Sequence, residues 1–457
     1  MSSDEHSSAP PLSTAGRNAV CGCPPRVLVR AARVLTLSGD ASAGVPDLGA
    51  DLGGDLGTLA CADVLLENGR ISAITACSAG PHDSGSHDAD THGDVDVIID
   101  ADRRVLMPGF VDAHTHACWA GDRLDEWAAR LRGAEYLELL EGGGGIMSTV
   151  RAVRATPESD LASGLEARLW SMASTGTTTA EVKSGYGLTT DDELKMLRAI
   201  ALACRRLPMT VVPTACIGHA IEGDHSAFVD RTVRETLPAV TDAYPGIAID
   251  AYCERNAWDV RDTVRLFEVA AAAGHTLRVH TDQFTDMGMV GEAVRLGTAS
   301  CDHLEASSTE TLRLLAASST YGVMLPCSGF HLDERFGDGR AFIDAGGRLA
   351  IGTNLNPGSA PCSSMPMAIA LACRCCGLSP GEAIVASTRT PADLLGLADL
   401  GRIAVGCRAD VVLLSHRDER ELAHTFGGNP CDLVLAGGWP VFDPRDVFGP
   451  VPREQPA

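Results

Sequence analysis

Between about residue 108 and residue 390, short apolar runs alternate with amphipathic stretches. The runs are GFVDAHTH, TTTAEVKSGYG, MTVVPTACIGH, IAIDAYCE, TLRVHTDQ, TASCDHLE, YGVMLPCS and RLAIGTNLN. Each has the length of a strand, and several are followed by helix-like stretches such as DDELKMLRAIALACRRL. Eight βα units are what a (β/α)8 barrel needs, and polar residues stand at the ends of the runs, where such barrels carry their chemistry. On either side the pattern shortens to period two. RVLVRAARVLT at 26–36 and ADVLLENGRISAITA at 62–76 read as strands, with an Asn-Gly turn inside the second. VIIDADRRVLMPGFVDAHTH reads as strand, turn, strand, and LGRIAVGCRADVVLLS after about residue 398 returns to short strands. The predicted fold is α/β: a (β/α)8 TIM-like barrel with a small β-sandwich domain built from both chain ends. The expected divisions are a disordered tail at 1–24, sandwich segments at 25–105 and 394–450, and the barrel at 106–393.

SGDASAGVPDLGADLGGDLGTLA and SAGPHDSGSHDADTHGDVD read as solvated insertions, the His and Asp residues of the second notwithstanding. The chain has 457 residues, room for a large domain and a smaller one. Its net charge of −23, from 37 basic and 60 acidic residues, disfavours a nucleic-acid partner, because phosphate binding needs a basic patch. A local basic pocket for an anionic substrate stays open. The sixteen cysteines are scattered, mostly among apolar or small residues. The start MSSDEHSSAPPLSTAGRN has no secretory pattern, and no apolar run reads as a membrane helix. The expectation is a reducing cytoplasm with free, buried thiols and no membrane partner. CGC at 21–23 and CRCC at 373–376 could bind metal or sense redox state, but neither has a second half at zinc-site spacing.

The chemistry begins at His114-Thr115-His116. Residues i and i+2 of a strand share a face, and two imidazoles on one face can chelate one metal. His219, His280 and His303 each end another run. Taken singly, each competes with a satisfied core histidine; their recurrence at strand ends points to a site. A divalent ion held by imidazoles lowers the pKa of bound water to about 7 in the best-known cases, and so prepares a nucleophile for a carbonyl carbon. That attack also needs a proton carrier, a role a neighbouring carboxylate fills. Asn354, in GTNLNPGSAP, stands where these pieces lead one to expect that carboxylate. Its amide oxygen could ligate a metal weakly, and it has no proton to shuttle. Arg123, in ACWAGDRLDE, could grip a substrate carboxylate bidentately; the competing reading is a surface ion pair with Asp122 or Asp125. GGGG at 142–145 could offer N–H groups to an anion at a helix start, or serve as a hinge. Tyr186, in KSGYGL, could cover a small ring or pack in the core.

PGFVDAHTH, Arg123, LRGAEYLELLEGGGGIMSTVRAVRAT, EVKSGYGLTTDDELKMLR, VHTDQF, DHLE and NPGSAP together resemble the imidazolonepropionases, histidine-degradation enzymes of the amidohydrolase superfamily. The resemblance covers roughly residues 100–400 and the flanking β segments, and EVKSGYGL with GGGGI is far more specific than His-x-His. It implies a (β/α)8 barrel with a small β-sandwich, one divalent metal (zinc or iron), and opening of 4-imidazolone-5-propanoate to N-formimidoyl-L-glutamate. By the resemblance, His114, His116 and His280 would be metal ligands. Arg123, Tyr136, Tyr186 and His219 would contact substrate, with Gln283 near the scissile ring and His303 as an acid/base or polarising group. Asn356, Gly358 and Ser359 would hold the product-like end. The family's Thr-Asp-x-Asn-Pro-Gly, whose Asp is the fourth ligand and proton shuttle, reads here Thr353-Asn354-Leu355-Asn356-Pro357-Gly358. Its Gly-Ala-His near the fourth strand reads Ile217-Gly218-His219, and CSGFHLDERFGDGRAF is a shorter and different segment. Losing a general acid/base costs on the order of 10²–10⁴-fold, and losing an anionic ligand weakens metal binding. Three readings follow. The first is an active enzyme of this type, either impaired or with another group, such as Asp282 or Glu305, covering the missing role. The second is a divergent amidohydrolase or deaminase-type enzyme on another small cyclic amide or amidine. The third is an inactive homologue that binds a small carboxylate, against which the intact handles argue. The expected partner is a small molecule carrying a carboxylate, with a homodimer left open.

Overall fold

The computed structural model describes residues 23–38, 56–77, 94–133 and 144–449. Most of the N-terminal tail, the interiors of both insertions, Tyr136 and the first two glycines of the GGGG run lie outside the described residues.

The chain opens with five strands: β1 (Val27–Leu35), β2 (Thr58–Glu67), β3 (Arg70–Ala76), β4 (Val97–Asp100) and β5 (Val105–Pro108). Asn68 and Gly69 join β2 to β3 with both φ angles positive, as a tight hairpin turn with right-handed strand twist requires. Eight further strands follow: β6 (Phe110–Asp112), β7 (Thr177–Lys183), β8 (Thr210–Gly218), β9 (Ala248–Cys253), β10 (Leu277–Thr281), β11 (Ser300–His303), β12 (Tyr321–Met324) and β13 (Leu349–Ile351). The chain closes with β14 (Val411–Leu414), β15 (Cys431–Ala436) and β16 (Trp439–Phe442).

Strands β6 to β13 pair in chain order, all parallel, and each coincides with one of the eight apolar runs. Strands β7, β10 and β11 are buried along their whole length, which is why they read as nearly unbroken apolar runs rather than alternating ones. Helices cover the outside. In Thr190–Cys204 the N-cap Thr189 accepts from Asp192 N–H, three acidic residues fill the first turn, and Met196, Leu197, Ile200 and Ala203 face inward. The seam between first and last strand is closed by the chain just beyond them. Asn354 N–H donates to His114 C=O at 3.0 Å, and His116 N–H donates to Leu355 C=O at 3.0 Å. The barrel is therefore shut by the two segments richest in candidate site residues. His219 lies just past β8, the third barrel strand; its expected place near the fourth is corrected.

The remaining strands form one eight-stranded sheet, ordered β16-β15-β14-β5-β1-β2-β3 with β4 beside β1. Both chain ends contribute to its own core, Val27, Val64, Leu66 and Ile71 packing with Val411, Leu413 and Leu435. Every described cysteine is a free thiol. Among the described residues no helix is long and apolar enough to cross a membrane.

Candidate active site

His114, Thr115 and His116 leave β6 at its C-terminal end with all three side chains buried. The alternation expected of a strand holds: the Thr115 hydroxyl turns to Glu181 C=O at 2.6 Å, while the two imidazoles share the other side. His280, in β10, joins them. Its Nε2 lies 3.0 Å from His116 Nε2, and ligating atoms of His114, His116 and His280 all lie within 4.8 Å of one another. Two of the three far nitrogens have their own partners, while His116 Nδ1 is buried without one. His114 Nδ1 donates to Asp302 Oδ2 at 2.6 Å, and His280 Nδ1 donates to Asp250 Oδ1 at 3.0 Å. Fixing Nδ1 as the donor leaves Nε2 with its lone pair. His114 Nε2 and Asn354 Oδ1 are both buried without a hydrogen-bond partner. Orphaned buried polar atoms are rare, and three imidazoles with converging nitrogens are a donor set that fits a divalent ion, which the amide oxygen of Asn354, a residue bonded to His114 through its backbone, could complete. Burial also holds the imidazoles of His114 and His116 far below the ordinary histidine range and that of His219 at about 3, so they are neutral, the form that ligates.

Asn354 sits at φ +55°, and the loop it opens is knitted by Asn356. The Asn356 side-chain oxygen Oδ1 accepts from Gly358 N–H at 2.8 Å and Ser359 N–H at 2.7 Å, and its Nδ2 donates to Asn354 C=O at 2.6 Å and Ser359 Oγ at 2.7 Å. A side chain atom added at Gly358 would come within 3.0 Å of Arg123, so the absence of one lets the guanidinium reach this loop. Arg123 pairs with Glu126, not with Asp122 or Asp125, and Glu126 also accepts from Gly145 N–H at 3.1 Å. Of the two described glycines of the GGGG run, Gly145 thus already has an acceptor.

On the opposite wall His219 stacks on His116, ring centres 4.6 Å apart and planes 10° apart. Gly185 C=O accepts from His219 Nδ1 at 3.0 Å. Tyr186 is buried beside both rings, 5.9 Å from His116 and 5.2 Å from His219. His303 lies 5.8 Å from the His114 ring and 5.5 Å from the His280 ring, and its Nδ1 donates to Glu305 Oε1 at 3.1 Å. His303 and Leu304 both have positive φ, a strained conformation for such residues and one that often accompanies function. Gln283 is buried three residues after His280. The Asp282 carboxylate is taken by the hydroxyls of Thr281 and Ser307 at 2.8 and 2.7 Å. No described carboxylate joins the three histidines as a further ligand.

Residues 239–439 match the amidohydrolase family. The imidazolonepropionase of Herpetosiphon aurantiacus is 44% identical over 356 residues, 75% of this chain and 83% of that one. That of Deinococcus radiodurans is 41% identical over 393 residues, 86% and 95% of the two chains. The chain belongs to the imidazolonepropionase family. Among solved structures, a triazine hydrolase variant superposes with a TM-score of 0.68 at 19% identity, covering 92% of this chain and 95% of its own. A 5-methylcytosine deaminase from Klebsiella pneumoniae does so with a TM-score of 0.68 at 17% identity, covering 91% and 98%. These two share the amidohydrolase architecture: a parallel barrel with a sheet built from the chain ends.

This imidazolonepropionase-family barrel also holds residues that spacing did not single out. Glu181, Lys183, Asp250, Arg278 and Asp302 are all buried beneath the histidines. Their only sign in the sequence is a charge inside an apolar run, as in TTTAEVK, IAIDAYCE and TASCDHLE. Glu193 is another: its carboxylate accepts from the N–H groups of Gly185, Gly187 and Leu188 at 2.7–2.9 Å and shapes the loop that carries Tyr186.

Proposed function

We propose that this chain hydrolyses 4-imidazolone-5-propanoate to N-formimidoyl-L-glutamate in histidine degradation, with one divalent ion, zinc or iron. The observation that carries this is the meeting of the ligating atoms of His114, His116 and His280 within 4.8 Å, with Asn354, whose amide oxygen is buried and unpaired, tied to His114 through its backbone N–H. We assign these four residues to the ion. Bound there, it would supply the activated water and polarise the ring carbonyl. His303 holds and moves the proton. With Nδ1 tied to Glu305, its Nε2 can take a proton from the attacking water and return one to the ring nitrogen as the C–N bond breaks. Glu305 therefore covers part of the role expected of a carboxylate at 354, whereas Asp282 is engaged elsewhere. Arg123 exchanges Glu126 for the substrate's propanoate carboxylate, next to Gly358 and Ser359. Tyr186 and His219 close over the ring, with Gln283 and, by family resemblance, Tyr136 completing the pocket. Asn356 acts by shaping its loop. Free thiols at every described cysteine support a reducing compartment, the cytoplasm.

The test is metal content and imidazolone hydrolysis on one purified batch, with Asn354→Asp beside the natural chain. About one metal per chain with turnover is expected of the natural protein. A metal-free, inactive natural protein would sink the reading. One observation favours a second reading: the neutral residue at 354 could select another small cyclic amide or amidine. Turnover of a hydantoin or cyclic urea, without turnover of the imidazolone, would decide for it.

A further inference from the structure

Three imidazoles and an amide are all neutral, so the proposed ligand set contains no anion. The charge lies one layer deeper. Glu181, Asp250 and Asp302 face Lys183 and Arg278, and none of the five side chains is more than 2% exposed. Lys183 Nζ is 2.7 Å from both Glu181 and Asp250 and 3.9 Å from Asp302. Arg278 lies 2.8 Å from Asp302 and 3.4 Å from Glu181. Three carboxylates thus share two cations, and one negative charge is left over.

Asp302 and Asp250 differ in how their oxygens are used. Asp250 spends one oxygen on His280 and the other on Lys183. Asp302 places a single oxygen, Oδ2, against both His114 and Arg278, and its buried Oδ1 has no hydrogen-bond partner. A carboxylate on the far nitrogen of a ligating imidazole raises the ring's basicity toward the metal. His114 is also the residue whose carbonyl accepts the Asn354 N–H, so residues 302, 114 and 354 form one chain of contacts.

We propose that Asp302 supplies, through the His114 ring, the negative charge that residue 354 does not, and is the positioning residue that lets an amide serve as fourth donor. This rests on the metal reading above.

The test is a double-mutant cycle of Asp302→Asn and Asn354→Asp in the full-length chain. Zinc affinity of the metal-free protein is read by competition with a chelator, and thermal unfolding is followed in parallel. Asp302→Asn should weaken zinc binding by about 10–100-fold. Adding Asn354→Asp should recover most of that loss, and should gain clearly more in this background than in the natural chain. The thermal midpoint should stay low in the double variant, since Arg278 has still lost its Asp302 partner and keeps only Glu181 and Ser300; a purely structural role for Asp302 would lower only that midpoint. An additive cycle, or an Asp302→Asn affinity within about threefold of the natural chain, overturns the proposal. Should Asp302→Asn not fold, Arg278→Met with Asp302→Asn removes both halves of the buried pair, and it should show the same loss and the same recovery. Natural affinity in that variant also overturns the proposal. If the natural chain binds neither zinc nor iron, the metal reading falls and this inference with it; an additive cycle on a zinc-binding chain removes this inference alone.

Discussion

At position 354 the backbone is left-handed, and asparagine and aspartate are the non-glycine residues that tolerate this best. The conformation therefore does not choose between them; the surroundings do. Asn354 is buried, so an aspartate there is an unpaired charge until a cation arrives. Asn354→Asp should unfold at a lower temperature than the natural chain in a chelator, and at a higher one with zinc, because only the folded state binds the ion. Thermal scans in the two buffers read this directly; a variant destabilised equally in both would count against a metal at this residue. Asn356, two positions on, ties its own loop together. Asn356→Ala strands the N–H groups of Gly358 and Ser359, and should cost about 1–3 kcal/mol in urea unfolding. Cys362 follows the same loop. The neighbouring Cys327 thiol holds its pKa below the ordinary thiol range, while burial pushes Cys373 up to about 11 and Cys204 up to about 12. Only the thiolate is alkylated, so iodoacetamide at pH 7 should label Cys362 ahead of those two part-buried thiols. Its labelling should persist to lower pH than theirs and fall as the pH is lowered further, as peptide mass spectrometry over a pH series would report.

The loop after β7 shows how an element can be built around one residue without a side chain. Gly185 has φ +112°, and a side-chain atom there would lie 2.9 Å from both Cys216 C=O and His219 Nδ1. Gly185→Ala should therefore displace His219 and Tyr186 together, and lower kcat/KM by at least about tenfold, the scale of misplaced positioning groups. Thermal unfolding alongside steady-state kinetics would separate this from collapse of the barrel, and unchanged kinetics would mean that the loop does not set the pocket. The same loop marks what the sequence could carry. KSGYGL announces a glycine-flanked aromatic, but Glu193, which shapes it through three backbone N–H groups, looks like any acidic residue in a helix's first turn. The eight strands were legible because parallel strands buried on both faces leave unbroken apolar runs. The histidines were legible because they stand at the ends of those runs. The ion pairs below them were not, since Lys183 with Asp250 and Arg278 with Glu181 meet only once the barrel has closed. The competing reading of Arg123 as an ion pair misses its acid for a related reason: adjacency suggests Asp122 or Asp125, whereas one helical turn brings Glu126.

At the scale of the whole molecule, the two chain ends and the barrel depend on each other. Strand β14 pairs with β5, Val411 opposite Pro108 and Leu413 opposite Leu106, and β15 and β16 extend the sheet from there. Only Gly109 separates β5 from β6, and its N–H donates to Asp410 C=O at 2.9 Å. The C-terminal segment thus fixes the point where the chain enters the barrel, five residues before His114. Removing residues 401–457 would strip β14, β15 and β16 from the sheet and uncover Val27, Val64, Leu66 and Leu106. Each large apolar side chain left in water forfeits about 1.5–3 kcal/mol, and a domain's whole margin is about 5–15 kcal/mol. Four such side chains, with the lost strand pairing, exceed or consume that margin. A chain ending at residue 400 should therefore aggregate or remain unfolded, and should not bind zinc, even though every proposed ligand is still present. Size-exclusion chromatography and chelator competition on the truncated chain would check both parts. A monomer with the natural zinc affinity would mean that the barrel organises its metal site unaided.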